Sequence, residues 1–368
     1  MINDVAVALE QKDYKSAARH LKPLLQERPN DPWVQLYLAQ VHEASGKVEQ
    51  AEQIYRRLLK RTEAAKVVSQ AREGLNRLKA KAQAKRQEAI AQASSDPNNT
   101  GNAFLVIEPI QGEARKEAAQ AFAKIMGRDP YTAQLQLPSR GWRVSRTGKL
   151  AELQVYGEEL RSAGIPAFWA GMEAMKAIRV FRTDYIQAIT PQQITVVCHT
   201  PEGQSGTLAF GWNEITQVVK GALPIFEDVI DLDAFQKLKR KRQTQDYIQV
   251  YDIHLPGRKS LLRLCDRTYR FKQGVQFDPA LGSEKASPSL AHGSVRIRWN
   301  QLTQSLDRQL PSASIKWTDF TSFADTAIDF LDLVESFDAN IEVLRREPSP
   351  WDQAFHLYSC MAFLYQPQ

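Results

Sequence analysis

What most constrains this chain is a pattern that returns after thirty-four residues. The stretch DYKSAARHLKPLLQERPNDP, residues 13–32, is echoed by KVEQAEQIYRRLLKRTEA, residues 47–64, with Ala17 over Ala51, Leu21 over Tyr55 and Leu24 over Leu58. Upstream, Val5 falls over Ala39 and Lys12 over Gly46. Small and large apolar positions therefore recur in one order, at the spacing of a helix-turn-helix unit. Two such units cannot bury a continuous core by themselves, so a cap is expected.

Leu38, Ala39, Gly46, Ala51 and Tyr55 in the second unit, and Tyr14, Ala17, Leu21 and Pro29 in the first, resemble the tetratricopeptide repeat family. The first unit departs from it at Lys12, where Gly is usual. The resemblance covers about residues 1–65 and implies a protein-binding groove, with Asp4, Ala8, Gln35 and His42 near its concave side by the family pattern. Residues 64–92 supply the candidate cap, with Val67, Val68, Ala71, Leu75 and Leu78 at helical spacing. Beyond Leu78 the apolar residues shrink to Ala, which predicts a helix packed at its start and projecting into water at its end. From Arg56 to Arg86 eleven Lys or Arg face only Glu63 and Glu73. That is either a solvated helix face or a surface attractive to acidic partners.

At 368 residues with 43% apolar content the chain has material for two or three cores. The absence of an apolar run of eighteen residues, and an N-terminus MINDVAVALEQ without a basic segment followed by an apolar one, predict neither a membrane span nor a signal peptide, and so a cytoplasmic protein. Cys198, Cys265 and Cys360 are far apart and in apolar surroundings, which predicts buried thiols. The six histidines show no metal-ligand spacing. Neither a metal nor a cofactor is expected.

ASSDPNNTGN, residues 93–102, marks a boundary rich in turn residues. Behind it AFLVIEPI reads as a buried strand, GEARKEAAQAFAKIMG as a helix stopped by Gly127, and Asp129-Pro130 as the start of a short helix through Leu137. WRVSRTG, KLAELQVYGEELRSAG and IPAFWAG complete a strand, a helix and a strand. This order predicts a small two-layer α/β sandwich over 103–173. In layout it is similar to the C-terminal domain of the ribosomal stalk protein. Arg140 and Arg143 in PSRGWR are either phosphate ligands or solvated turn residues.

From Lys176 short strands follow: AIRVFRT, YIQAIT, ITVVCHT, GTLAFGW, YIQVYDIHL and SLLRLCD, separated by TPQQ, TPEGQSG and LPGRK. They predict an antiparallel sheet curling into a sandwich or partial barrel. The strand that ends in Trp212 and Ile215 resembles the Trp-x-x-Ile turn of bacterial pleckstrin-homology-like domains, over about residues 176–272. FQKLKRKRQ interrupts the strands as an expected loop, and its Lys237, Lys239, Arg240, Lys241 and Arg242 form the densest positive cluster. Such a cluster is either solvated or in contact with a phosphate-rich surface, a membrane more readily than nucleic acid, since no aromatics interleave with the charges.

After the loop FDPALGSEKASPSLAHGS, the segment 318–344 carries an apolar stripe from Phe320 to Ile341 and an acidic face of Asp325, Asp329, Asp332, Glu335, Asp338 and Glu342. Opposite in sign to the basic segments, that face is a candidate for intramolecular docking. The last apolar stretch, PWDQAFHLYSCMAFLYQ, is too short to span a bilayer and reads as a closing helix. Catalytic motifs are missing: no phosphate loop, dinucleotide fingerprint or Gly-x-Ser-x-Gly occurs. Asp252 and His254 lie two apart and could pair on one strand face, with no nucleophile identifiable beside them.

The predicted architecture is thus α, then α/β, then mainly β: helical tetratricopeptide-type repeats over 1–92, the sandwich over 103–173, and an antiparallel β domain with C-terminal helices over 176–368. The expected function is a non-enzymatic adaptor or assembly factor that grips a protein client. The alternative is a regulator that binds anionic membrane or nucleic acid through 56–86 and 237–242. The texture of the whole chain is similar to repeat proteins of cyanobacteria.

Overall fold

The computed structural model describes residues 2–232, 238–277, 294–343 and 348–366. The chain divides into two compact units, 1–92 and 93–368. Helical repeats come first, then mixed α/β, then a strand-rich region with C-terminal helices, as the sequence predicts.

The first unit holds helices α1 (Ile2–Glu10), α2 (Tyr14–Glu27), α3 (Pro32–Ala44) and α4 (Val48–Arg61), and α5 (Ala65–Ser94) begins in it. Asp13 accepts from the Ser16 amide to cap α2, and Asp31 accepts from Trp33 and Val34 to cap α3, with Pro32 at the first helical position. Gly46 closes α3 at φ 75°, and Lys12 adopts φ 57° at the equivalent position of the first repeat. The geometry survives the missing glycine, at the steric cost a Cβ carries in the left-handed region. Ala17 and Ala51, both fully buried, sit in two small cores, one among α1, α2 and α3 and one among α3, α4 and α5. Val67, Ala71, Gly74 and Leu78 form the buried stripe of α5, and residues 79–85 are exposed, so this helix caps and then projects. Gly74 is required there: a Cβ would lie 2.4 Å from the Tyr55 ring.

The second unit is layered. Strand β1 (Asn102–Ile107) leads through α6 (Ala114–Met126) and α7 (Pro130–Gln136) to β2 (Arg143–Lys149), and then through α8 (Leu150–Ser162) to β3 (Ala167–Gly171) and the short α9 (Met172–Lys176). Gly127 ends α6 at φ 66°. These strands form a sheet of order β2-β1-β3, antiparallel on both sides of β1. Strand alternation sends Ala103, Leu105 and Ile107 into a core with α6–α8, and Phe104 and Val106 into a second core on the opposite face.

A seven-stranded sheet follows, built from β4 (Arg179–Ile189), β5 (Gln193–His199), β6 (Ser205–Gly211), β7 (Gln217–Leu232), β8 (Leu238–Leu255), β9 (Ser260–Cys265) and β10 (Ile315–Trp317). Its order is β10-β7-β8-β9-β4-β5-β6. Most neighbours are antiparallel, but β10 runs parallel to β7 and β9 parallel to β4. One face is covered by α10 (Val295–Gln309) through Trp299, Leu302 and Leu306. The other packs on α11 (Phe320–Ala327), α12 (Leu331–Val334) and α13 (Pro350–Leu364). Trp142 is the joint between layers, its ring 4.7 Å from Phe168, 4.4 Å from Trp317 and 5.6 Å from Tyr358. The regions 103–173 and 176–368 therefore share one hydrophobic core.

Three elements differ from the sequence expectation. AIRVFRT and YIQAIT are one strand, β4, with irregular register near Thr183 and Ile186 that turns the chain without ending it. The basic run expected as a loop belongs to β8 from residue 238 onward, paired with β7 along its whole length. The helical stripe after Thr318 breaks into α11, a 3-10 turn and α12, and the chain from Glu335 to Val343 lies beyond any helix. The expected loop after Phe277 lies, from 278 to 293, outside the described residues.

Candidate functional site

In the repeats, burial leaves two sides of α3 partly open. Val34, Leu36, Ala39 and Val41 are buried; Trp33, Tyr37, Gln40 and Ala44, three and four residues apart, share one side, the first three half-buried like Gln35, Leu38 and His42 elsewhere on the helix. Trp33 and Tyr37 lie tilted against each other with ring centroids 6.0 Å apart. Desolvation, with Glu10 of α1 nearby, pushes the Tyr37 hydroxyl pKa up, so the phenol stays a neutral donor. Behind this face, Glu43 ties three helices together: it accepts from Tyr55 Oη at 2.7 Å and from Arg77 Nε and Nη2 at 3.0 Å.

The residues expected in the groove do not share that face. Ala8 is only 7% exposed and belongs to the core among α1, α2 and α3, although its equivalent in the second repeat, His42, is half-buried. Gln35 and His42, seven residues apart, lie on the opposite side of α3. Gln35 turns back to donate from Nε2 to the Pro29 carbonyl at 2.6 Å, closing the turn before α3. His42 is half-buried, and desolvation with Lys47 nearby lowers its pKa, favouring the neutral ring. Asp4 is exposed on α1. Trp33, Tyr37 and Gln40 were detectable in the sequence as an aromatic pair and an amide at helical spacing.

Asp252 and His254 do not pair with each other. Alternation on β8 points both into the core, where Arg263 of β9 donates to Asp252 (Nε–Oδ1 2.9 Å, Nη2–Oδ2 2.6 Å) and Ser359 of α13 donates to Asp252 Oδ2 at 2.6 Å. His254 Nε2 lies 2.9 Å from Ser359 Oγ. A serine, a histidine and an aspartate are thus assembled, but in the wrong order for nucleophilic catalysis. The hydroxyl proton already goes to the carboxylate, and the histidine, not bonded to the aspartate, cannot be oriented by it as a base. All four side chains are buried, closing access to a substrate. Burial lowers the pKa of His254 to about 4 and that of His356 to about 3, keeping both rings neutral. Burial raises Cys360, 3.6 Å from His356, to about 12, so it is no thiolate. The network joins β8, β9 and α13 and is structural.

The basic cluster is divided by the strand that carries it. Arg240 and Arg242 alternate with Lys241, so they point to opposite faces of the β7–β8 ribbon. Asp228 stands directly opposite Arg242, and the Arg242 guanidinium lies 4.9 Å over the Phe226 ring. Lys237 and the side chain of Lys239 lie outside the described residues. Arg143, in β2, directs Nη1 to the Leu135 carbonyl at 3.4 Å, while Arg140 is exposed. Of the acidic residues after Thr318, Glu342 pairs with Arg182 of β4, which belongs to neither basic segment.

Among the described residues no group of three His, Cys, Asp or Glu could hold a metal ion, and no helix is long and apolar enough to cross a membrane. No curated protein and no solved structure matches the chain. A tetratricopeptide repeat family model does match, over residues 8–68, from the end of α1 to the start of α5. The helices that carry the thirty-four-residue period are therefore a tetratricopeptide-like module, of a kind that commonly serves protein–protein interaction.

Proposed function

We propose that the protein is a non-enzymatic adaptor that holds a segment of a client protein on the side of α3 that carries Trp33, Tyr37 and Gln40. The observation that carries this reading is the tilted aromatic pair Trp33 and Tyr37 beside Gln40, half-buried on a helix of the matched repeats. Aromatic rings of this kind supply contact area at low entropic cost, and an amide fixes a peptide backbone. With only two repeats and a cap the contact is small, so the affinity expected is around micromolar. Regions 103–173 and 176–368 then serve as further docking domains, the latter pleckstrin-homology-like on the Trp212-x-x-Ile215 turn. Replacing Tyr37 and Gln40 together by Ala in the full chain should remove partners recovered by pull-down while the circular dichroism spectrum is unchanged. Recovery of the same partners at parent level would refute the assignment of the face.

A second reading is favoured by one feature. Ile230 is 70% exposed directly opposite Arg240, placing an apolar side chain beside a cation on one ribbon face. That combination suits peripheral contact with an anionic membrane better than nucleic acid, where an exposed aliphatic gains nothing. Salt separates the two readings, since phosphate contacts weaken steeply as salt rises and an aromatic face does not.

A further inference from the structure

Of the two outer strands of the seven-stranded sheet, β6 is the unguarded one. Edge strands are commonly blunted by charge, bulges or shortness, because a row of open amides and carbonyls is a template for another chain. β10, at the opposite edge, is three residues long. In the smaller sheet the outer strand β2 carries Arg143, Arg146 and Lys149, and its register is irregular beside Leu105. β6 has none of these devices. SGTLAFG is seven residues without a charge or a proline, and its pairing with β5 is regular from Gln193 opposite Gly211 to His199 opposite Ser205.

The two ends of the β5–β6 hairpin fix which groups face outward. Thr200 N donates to Gln204 O at 2.9 Å and Trp212 N to Gln192 O at 3.3 Å. In this register the even-numbered residues of β6 bond to β5, and the odd-numbered ones turn their amides and carbonyls to the open side. Gly211 obeys the phase: its outward amide is taken by Glu214 Oε1 at 2.8 Å. Ser205, Thr207 and Ala209 are exposed, and nothing among the described residues takes up their outward amides and carbonyls. The face that holds Leu208 and Phe210 is open at this end too, since a Cβ on Gly206 would meet nothing within 4 Å.

We propose that β6 pairs with β6 of a second copy of this chain, antiparallel about a two-fold axis through Thr207. Outward residues must face outward residues, so with Thr207 opposite its own copy Ser205 stands opposite the partner's Ala209, and each of these pairs exchanges two backbone hydrogen bonds. The capped Gly211 amide ends the ladder on either side. Side chains suit this register: Leu208 of one copy falls opposite Gly206 of the other, where no Cβ stands in the way, and Thr against Thr is a favourable cross-strand pair. Charge suits it as well. The chain carries a net charge of +6, yet no charged residue occurs from Gln204 to Asn213, so two copies meet without repulsion along the strip. At its ends the exposed Glu202 of one copy comes to the side of the other where Arg258 pairs with Glu214 at 2.7 Å. A strand of another protein could use the same amides, but the Gly206–Leu208 fit and the neutral strip favour the chain's own copy. Two joined copies present two α3 faces, which turns a weak grip on a client with two such segments into a stronger one. That consequence rests on the function proposed above; the pairing itself does not.

The test is equilibrium sedimentation of the full chain over a wide range of concentration, with no client present. The dimer fraction should rise with concentration. Thr207→Pro, at an edge position whose amide does not serve β5, should abolish the dimer and leave the circular dichroism spectrum unchanged. Thr207→Lys and Thr207→Glu should each weaken self-association roughly tenfold, because like charges then meet across the axis, and an equimolar mixture of the two chains should restore a dimer. Amide-resolved hydrogen exchange should slow at Ser205, Thr207 and Ala209 as concentration rises, with Gly206 and Leu208 unaffected. A monomer at every concentration, a dimer that survives Thr207→Pro, or a charge-variant mixture no tighter than its components would each overturn the proposal. Protection of the odd-numbered amides in a monomer would give the edge to another segment of the chain, and would overturn it too.

Discussion

The repeat unit and the sheet unit are held together in opposite ways. In residues 1–92 each helix packs on its neighbours in the chain, the cores are small and aliphatic, and the polar link of Glu43, Tyr55 and Arg77 sits half-exposed at their edge. In residues 93–368 the strands pair across long separations, as when Arg179 of β4 meets Ser260 of β9, and an ion pair with its hydrogen bonds is sealed inside. Local contacts are cheap to close and are lost piecemeal; distant ones are costly to close and hold one another in place. A single change should therefore damage the two units by different mechanisms.

The largest effect is expected from Arg263→Ala. It strands the buried Asp252 carboxylate and frees the Ala339 carbonyl, and breaking a buried pair costs about 3–5 kcal/mol. Region-resolved hydrogen exchange should show the loss in 93–368 and none in 1–79; a loss shared by both would end the distinction. Acid should have a similar bias. The ordinary histidine value is near 6.5, and His254 and His356 are lowered to about 4 and about 3, so the unfolded chain binds protons first as pH falls. Their stabilisation is complete above the unfolded pKa and drains away below it, by about 2–3 kcal/mol for the pair between pH 7 and 5.5. Urea midpoints of the sheet unit should fall over that range, and His356→Leu should halve the slope.

Smaller effects belong to the repeats. Ala51→Leu overpacks a fully buried helix crossing and should cost about 1–3 kcal/mol in 1–92 alone. A variant that melts like the parent would remove the tight crossing from the comparison. Lys12→Gly acts in the other direction: relieving the left-handed Cβ should stabilise by about 0.5–1 kcal/mol, with chevron or equilibrium denaturation as the measure. Smallest of all, reversing Arg240 and Lys241 to Glu should change stability by less than about 0.5 kcal/mol, because these ribbon side chains are exposed. Binding to anionic vesicles should drop, and unchanged binding at low salt would discard the membrane reading.

The same contrast explains what could be read from the sequence. A repeat encodes its own phase, so Ala17, Ala51, Gly46 and the capping helix were legible from spacing. The order of strands and helices in 103–173 was legible from turn residues and alternation. The β8 strand was not: a run of Lys and Arg has low strand propensity, and what holds it is a partner strand, with Asp228 opposite Arg242, that local pattern does not display. Asp252 was visible as a possible partner of His254, yet its real partners, Arg263 and Ser359, stand eleven and 107 residues away. The groove residues Gln35 and His42 came from a family pattern, and they are as half-buried as Trp33, Tyr37 and Gln40 on the other side of α3, so burial singles out neither side.

The two-sided burial of β1 has a consequence in time. Phe104 and Val106 rest on a core that includes Phe355, Tyr358 and Met361 of α13, so the face they occupy stays uncovered until the chain from Gly171 to past Pro350 has been made. At roughly 5–20 residues per second that interval lasts on the order of 10–40 s. During it a three-stranded sheet presents a greasy side to the cell while the repeats are already able to fold, which makes the nascent sheet a substrate for a chaperone that binds apolar surface.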